Sequence, residues 1–519
     1  MTTSPTPITV GVGPVTPADV VAVARDGAPV QLSSEALTAI DTGRRTVDAL
    51  AADVRPHYGV STGFGALASR HIPPESRTQL QRSLIRSHAA GAGDEVEREV
   101  VRAMMLLRLS TMATGHTGVR RETALAYAAM LSAGLVPVVH EFGSLGCSGD
   151  LAPLAHCALA LMGEGDCRDA DGALLPSDEG LARAGITPVQ LAEKEGLALI
   201  NGTDGMLGML LLALADLRVL LTTADITAAL SVEGLLGTDA VFAPDLQALR
   251  PQPGQAASAA NMRAVLAGSP IVASHRGPED PRVQDAYSLR CAPAVVGGAR
   301  DTVAHATAVA SRELAAAIDN PVIAGEGDGV RVASNGNFHG APLAYALDFL
   351  AIVAADVASI AERRTDRFLD ASRNHGLPAF LADDPGVDSG LMIAQYTQAA
   401  IVSELKRLAV PASVDSIPSS AMQEDHVSMG WSAARKLRRS VDGLARVLAV
   451  ELVTAARGVE LRAPLEPGAV SGAVIAALRG EVGGPGPDHF LAPDIEAAYQ
   501  LVRSGAIVAA ASAVTGPLD

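Results

Sequence analysis

Gly205-Met206-Leu207-Gly208-Met209-Leu210-Leu211-Leu212-Ala213-Leu214-Ala215-Asp216-Leu217-Arg218-Val219-Leu220-Leu221 is the most apolar stretch of the chain. Asp216 and Arg218 interrupt it well short of the roughly 20 apolar residues that a bilayer requires, so it reads as a helix buried in protein. Residues 205–235 open a series of long apolar segments with helical period, continued at 301–319, 342–365, 394–408, 426–462 and 494–514. Six such segments with no evident strands between them predict a bundle whose Ala/Leu faces cover one another.

Composition agrees. The 519 residues are 48% apolar but only 3% aromatic, which calls for cores of Ala, Leu and Val and favours close-packed helices over a β-sandwich. Net charge is −17, and no run of Lys and Arg offers a grip on a phosphate backbone, so nucleic acid is not an expected partner. Cys147, Cys157, Cys167 and Cys291 show no C-x-x-C spacing and read as reduced thiols in a cytoplasm. Residues 1–10 have neither the charged start nor the apolar core of a signal peptide, and neither export nor a membrane is expected.

Ahead of residue 205 the pattern is shorter and mixed. A strand is expected at 8–12, and Thr16-Pro17 reads as N-cap and first position of a helix at 18–25. Ser33 or Ser34 caps a second helix to about residue 52. After a Gly-rich loop at 55–65, helices are predicted at 79–90, at 95–114 with alternating charged and Leu/Met faces, at 122–133 and at 154–162. Residues 166–186 read as a surface excursion with a short hairpin. Between the first two long segments, 241–289 begins with a Pro/Gly/Ser-rich part expected to stay out of the core. The fold class is mainly α, a long-helix bundle (205–519) with a smaller mixed N-terminal region (1–204).

Within that N-terminal region lies Gly143-Ser144-Leu145-Gly146-Cys147-Ser148-Gly149-Asp150-Leu151-Ala152-Pro153-Leu154-Ala155-His156, a small-residue turn just before a helix. The Gly149 nitrogen, with no Cβ in its way, can approach the Cys147 carbonyl carbon if the loop forces them together. Closing that five-membered ring, with loss of water from it and from the Ser148 side chain, leaves a methylidene carbon, an electrophile no ordinary side chain supplies. Two other readings compete: a helix-capping turn without chemistry, and a serine-hydrolase elbow. Gly146-Cys147-Ser148-Gly149-Asp150 misses G-x-S-x-G at its last residue and has no β-branched run leading into it. Gly59-Val60-Ser61-Thr62-Gly63 matches that pattern formally but also lacks the strand.

The turn resembles the Ala-Ser-Gly segment of the histidine and aromatic amino-acid ammonia-lyases, which build a methylidene-imidazolone (MIO) in this way, with Cys147 in place of the usual alanine. Since only the backbone of that residue enters the ring, the replacement is compatible. The fold implied is the helix bundle of the ammonia-lyase and fumarase type. The fumarase-type loop G-S-S-x-M-P-x-K-x-N itself is absent.

Further motifs extend the resemblance along nearly the whole chain. Tyr58-Gly59-Val60-Ser61-Thr62-Gly63-Phe64-Gly65 is similar to the family's Tyr-Gly-Val-Asn-Thr-Gly-Phe-Gly, with Ser61 for Asn, which implies that Tyr58 removes the substrate β-proton. A phenol does so near neutral pH only where dipoles or cations stabilise its phenolate. Ser87-His88 resembles the pair of histidine-specific members and implies His88 beside the substrate side chain. Asn201-Gly202-Thr203-Asp204 resembles Asn-Gly-Thr-Gln and implies substrate contact by Asn201, an amide that could otherwise simply cap a helix.

Tyr287 and Arg290 are three apart and share one face of a helical turn, and a guanidinium suits a carboxylate. The surrounding string Arg282-Val283-Gln284-Asp285-Ala286-Tyr287-Ser288-Leu289-Arg290 matches the lyases almost throughout. It implies Arg290 on the substrate carboxylate, Tyr287 near the amine and Gln284 in the pocket. Downstream, Ala294 replaces a usual Gln. Gly336-Asn337-Phe338-His339-Gly340 implies Phe338 as an apolar wall. Ser413 to Met429 resembles a long C-terminal motif in which Glu424 faces the substrate imidazole, with Met422, and Leu405 just upstream, where Asn is usual. Glu424-Asp425-His426 cannot all point at one ion and has no H-E-x-x-H partner, so no metal is expected.

The resemblance implies elimination of ammonia from L-histidine to give trans-urocanate, with Cys147, Ser148 and Gly149 forming the MIO, Tyr58, Tyr287 and Glu424 catalytic, and no external cofactor. It also implies a homotetramer with residues of three subunits in each pocket. An MIO-dependent lyase or 2,3-aminomutase acting on another aromatic amino acid, and a catalytically inert helical binding module with an unmodified turn, are the alternatives.

Overall fold

The computed structural model describes the chain except residues 1–4, 54, 64–66, 68, 278–279, 281–282 and 326–328. It is mainly helical, and the longest helices among the described residues are Asp204–Gly234, Ala292–Leu314, Ala341–Leu369 and Gly430–Glu460. Contacts divide the chain into two units. The first comprises Met1–Leu212, Thr307–Leu347 and Pro411–Arg435; the second comprises Ala213–Ala306, Asp348–Val410 and Lys436–Asp519. This is a division by packing, whereas the sequence division at residue 204 follows helix length.

In the first unit, Ile8–Val10 pairs in parallel with Val30–Leu32. The helix Pro17–Ala24 starts on a capping box between Thr16 and Asp19, and Ser33 caps Ser34–Ala51. The expected hairpin is present as Asp166–Arg168 against Leu174–Pro176. A second antiparallel hairpin, Val322–Ala324 with Arg331–Ala333, corrects the expectation that no strands interrupt the long helices. The helix Arg98–Ala113 is also different from its reading: it is buried on all sides from Val100 onward, Arg102 and Arg108 included. Both arginines place their guanidinium N–H groups on backbone carbonyls, which makes burial of the charge affordable.

In the second unit, Arg364 and Glu451 form a fully buried pair, and Glu451 also accepts from Thr227 Oγ1 (2.8 Å) and Ser231 Oγ (2.9 Å). These bonds satisfy every carboxylate oxygen in the middle of an apolar core. The stretch 241–289 is not irregular. It holds the helices Pro244–Ala248, Pro253–Leu266 and Pro270–Ala273, and Met262, Val265 and Leu266 are core residues. Each proline occupies a first helical position, where its missing N–H costs nothing. The last predicted helix is two, Ala492–Arg503 and Ala506–Thr515, bent by 59° at Gly505, whose φ is +78°.

By length and composition, two helices among the described residues could cross a membrane, Glu195–Gly234 and Ala341–Leu369, or up to three spans if the bent pair counts as one. Of their most apolar windows, 78% and 61% are buried inside the protein. For 205–221 that burial, rather than the two charges, is what accounts for its apolar character.

Candidate active site

The turn begins where the strand His140–Phe142 ends and stops where the helix Leu151–Leu161 begins. Its backbone is fixed from several sides. Gly146 O accepts from Ser428 Oγ (2.6 Å) and from Gly340 N (3.0 Å), and Met429 N donates to Leu145 O (2.9 Å). Trp431 Nε1 donates to Glu141 O (2.7 Å). Gly149 has φ +79°, and a Cβ there would sit 2.2 Å from Gly202 O, so only glycine fits.

Asp150 follows and is fully buried. Its N–H donates to Gly202 O (2.7 Å). Its carboxylate accepts from Ser144 Oγ (2.9 Å) and from the N–H groups of Gly205 and Met206 (2.9 Å each), at the start of the long helix Asp204–Gly234. Burial pushes its pKa up to about 7 despite those donors, and the Asp204 carboxylate adds to the rise.

Three side chains converge on Glu424. Ser148 Oγ donates to Oε1 at 3.0 Å, Ser419 Oγ to Oε2 at 3.0 Å, and the Cys147 thiol to Oε2 at 3.4 Å. Burial, and then the neighbouring Glu424, push the Cys147 thiol up to about 12, so it stays protonated and donates. Glu424 is presented by a tight loop closed by Ser419 N to Glu424 O (3.0 Å), in which Ser420, Ala421 and Met422 all have positive φ. Three successive non-glycine residues in that region cost on the order of 1–2 kcal/mol each, a strain the loop holds while aiming one carboxylate at the turn.

His88 closes the helix Pro74–His88, and its Nδ1 lies 2.9 Å from Leu84 O. Burial lowers its pKa while the charge of Glu424 acts in the opposite direction. Asn201, 5% exposed, ends the helix Glu195–Ile200. Tyr58 is half-buried in its loop, and Phe338 is half-buried in the segment that Gly340 N ties to Gly146 O. Phe64 and Gly65 lie outside the described residues, as does Arg282.

The first unit therefore carries Tyr58, His88, Cys147, Ser148, Gly149, Asn201, Phe338 and Glu424, while Gln284, Tyr287 and Arg290 belong to the second. There, Tyr287–Arg290 is one helical turn, as the spacing predicted. The Arg290 guanidinium lies 4.7 Å from the centre of the Tyr287 ring, and its Nε donates to Asp285 O (2.9 Å). Arg364 Nη1 donates to Ser288 O (3.2 Å), and Gln284 is exposed.

Residues 15–480 match the family model described as aromatic amino acid lyase. The chain belongs to that family. Among its relatives, the histidine ammonia-lyase of Streptomyces avermitilis is 67% identical over 98% of this chain and 99% of the relative. That of Sorangium cellulosum is 49% identical over 98% and 99%. Among solved structures, histidine ammonia-lyase from Trypanosoma cruzi has a TM-score of 0.90 at 36% identity, covering 98% of this chain and 95% of the other. Tyrosine aminomutase from Streptomyces globisporus has 0.92 at 36%, covering 99% and 100%.

Several departures of this lyase from the family pattern have local reasons. Ser61 is fully buried and accepts from His57 N (2.9 Å), closing its own loop. Leu405 is buried, and a Cβ on Gly443 would sit 2.8 Å from its Cδ2, so an apolar contact stands where an amide is usual. Met422 is exposed. Nothing in the structure explains Ala294. The sequence reading missed Ser144, Asp150, Arg108 and Ser419. A Ser and an Asp flanking Gly-Cys-Ser-Gly were visible signals, but their partners lie far along the chain.

Proposed function

We propose that this lyase eliminates ammonia from L-histidine to give trans-urocanate, using an MIO that it forms from Cys147, Ser148 and Gly149. The carrying observation is a turn whose Ser148 hydroxyl faces Glu424 at 3.0 Å and whose Gly149 position excludes any Cβ, in a chain 67% identical to histidine ammonia-lyases. The residues fit the group: its ring closes through main-chain atoms of 147, 148 and 149 alone, so the Cys147 side chain and the missing Cβ of Gly149 do not enter it, and Ser148 Cβ becomes the methylidene carbon outside the ring.

Once formed, the MIO supplies an electrophilic carbon for the substrate amine, which becomes a better leaving group. The chain's residues do the rest. Tyr58 takes the β-proton, and Arg290 grips the carboxylate with Tyr287 near the amine. Glu424 and His88 address the imidazole, Asn201 binds the substrate through its amide, Phe338 walls the pocket and Gln284 completes it. Holding these groups in place converts a slow encounter into an oriented one.

The reading includes a homotetramer in the cytoplasm, with pockets completed by neighbouring subunits and no external cofactor. The large apolar side chains of Phe349, Ile352, Ile393 and Tyr396, exposed in one chain, support such assembly. It also assigns the electrophile and the Tyr58 loop to 1–204 and the long-helix bundle to 205–519.

The test is direct. Purified protein given L-histidine is expected to produce urocanate, and its intact mass to fall short of the sequence mass by two waters. An active, assembled protein with its Ser148 hydroxyl intact overturns the reading. The likeness to tyrosine aminomutase favours one second reading, and a β-amino acid formed from L-tyrosine in place of urocanate would establish it.

A further inference from the structure

Beneath the turn lies a group that none of the family motifs contains. Arg108 is fully buried, with Nη1 donating to Asn201 O (2.6 Å) and Nη2 to Ile318 O (2.8 Å). Its counter-charge is Asp204, 3.4 Å from Nη1, at the position where the resemblance expects Gln. The two side chains meet across Gly202: a Cβ there would lie 2.2 Å from Asp204 Oδ2 and 2.4 Å from Arg108 Nη1. On the other side, Gly202 O accepts from Asp150 N and leaves no room for a Cβ on Gly149.

The arrangement is a stack: the ion pair supports the Asn201–Gly202 backbone, and that backbone supports the turn. A second buried pair, Lys194 with Asp319, stands beside it, so each cation in the cluster has its anion. Burying a guanidinium and a carboxylate costs several kcal/mol per ion unless geometry compensates. Here the compensation goes to two main-chain carbonyls, one of them belonging to the proposed substrate-binding Asn201.

We propose that Arg108 and Asp204 are positioning residues, which fix the Asn201–Gly202 peptide as a common floor for substrate binding and for cyclisation of Cys147-Ser148-Gly149. Cyclisation joins Gly149 N to the Cys147 carbonyl carbon; one water leaves the ring and one leaves the Ser148 side chain. The approach of those two atoms depends on where Gly149 rests, and Gly149 rests on Gly202. This inference builds on the proposed function and deepens it.

Arg108→Lys tests it. A lysine keeps the charge opposite Asp204 but cannot serve both carbonyls in the same planar geometry. In the full-length variant, a reduced fraction of chains is expected to show the two-water deficit soon after synthesis. The matured fraction is expected to show a KM for L-histidine about tenfold higher, a loss of one strong hydrogen bond, with kcat less affected. A pair that merely stabilises the fold would lower the melting temperature and move neither readout, and that result overturns the proposal. If Arg108→Lys does not fold, Asp204→Asn, equal in volume, is read in the same way: a full deficit with unchanged KM overturns it. The wild-type chain separates the two levels. If it lacks the deficit, the proposed function fails; if it has the deficit and both variants share it fully with unchanged KM, only the role of the pair fails.

Discussion

The Ser144–Asp150 turn and the Tyr287–Arg290 turn both carry proposed chemistry, but they are built in opposite ways. The first is sunk into its unit: Ser144, Cys147 and Asp150 are buried, and its backbone is bonded to residues near 202, 340 and 428. The second exposes its working side, with Tyr287 71% and Val283 97% exposed, and is anchored from behind by Arg364 on Ser288 O and by Thr238 N on Asp285 Oδ2 (2.7 Å). Rearranging a main chain demands a fixed starting geometry, which the chain provides by itself. Gripping a carboxylate requires an open hand, and the exposed Tyr287, with the half-buried Arg290 beside it, is what the proposed assembly would cover.

The largest effect is expected at Ser148. Ser148→Ala removes the source of the electrophile, so urocanate formation should fall to the assay floor and the intact mass should match the sequence. The fold should survive, since the substitution removes one hydrogen bond to a carboxylate, worth about 1.5–3 kcal/mol. Residual turnover in such a variant would break the view of this turn as the chemical half of the comparison. Next comes Tyr58→Phe, expected to lower kcat by roughly 10²–10⁴, the usual contribution of a positioned base, with the mass deficit intact. That pair of readouts separates elimination from maturation.

How far the sequence allowed these two regions to be read follows from how local their signals are. Tyr287 and Arg290 share a face because they are three apart, and the helix Tyr287–Arg290 has that geometry. The small residues of the turn were equally visible. The partners that fix it were not, because Gly202, Gly340 and Ser428 are remote in sequence and act mainly through their backbones or a single hydroxyl. Arg108 read as a member of a charged helix face, yet its side chain is fully buried; periodicity reports where charge is cheap and cannot show that carbonyls from residues 201 and 318 wait in the core. The same limit explains 241–289, where a Pro/Gly/Ser-rich composition argues against core although its prolines begin helices, and the last helix, which Gly505 divides.

A smaller effect is expected in the second region. Arg290→Lys exchanges a planar two-pronged donor for a point charge and should raise KM for L-histidine by roughly 10- to 100-fold, the equivalent of about 1.5–3 kcal/mol. Steady-state kinetics measure this, and intact mass should show an unchanged deficit. If the deficit disappears as well, the two regions are coupled during maturation, and the contrast between a self-sufficient turn and an open hand no longer holds.

The smallest effect on turnover, and the one that most sharpens the comparison, concerns pH. Asp150 is a buried titratable group in the support of the first region, with a pKa of about 7 against an ordinary 3.8. The folded chain thus holds a proton that the unfolded chain releases from about pH 4 upward. That contribution to stability is complete below about pH 4 and is lost as pH rises through about 7. Asp150→Asn keeps an oxygen for the N–H groups of Gly205 and Met206 and turns an amide toward Ser144 Oγ, which can accept from it. The fold should persist while the pH-dependent part disappears. Urea midpoints across pH 4–8 are therefore expected to decline more steeply in wild type than in the variant. Parallel slopes would mean that the three donors to Asp150 outweigh its burial and keep it ionised throughout, so that the turn rests on a fixed negative charge at the head of the Asp204–Gly234 helix.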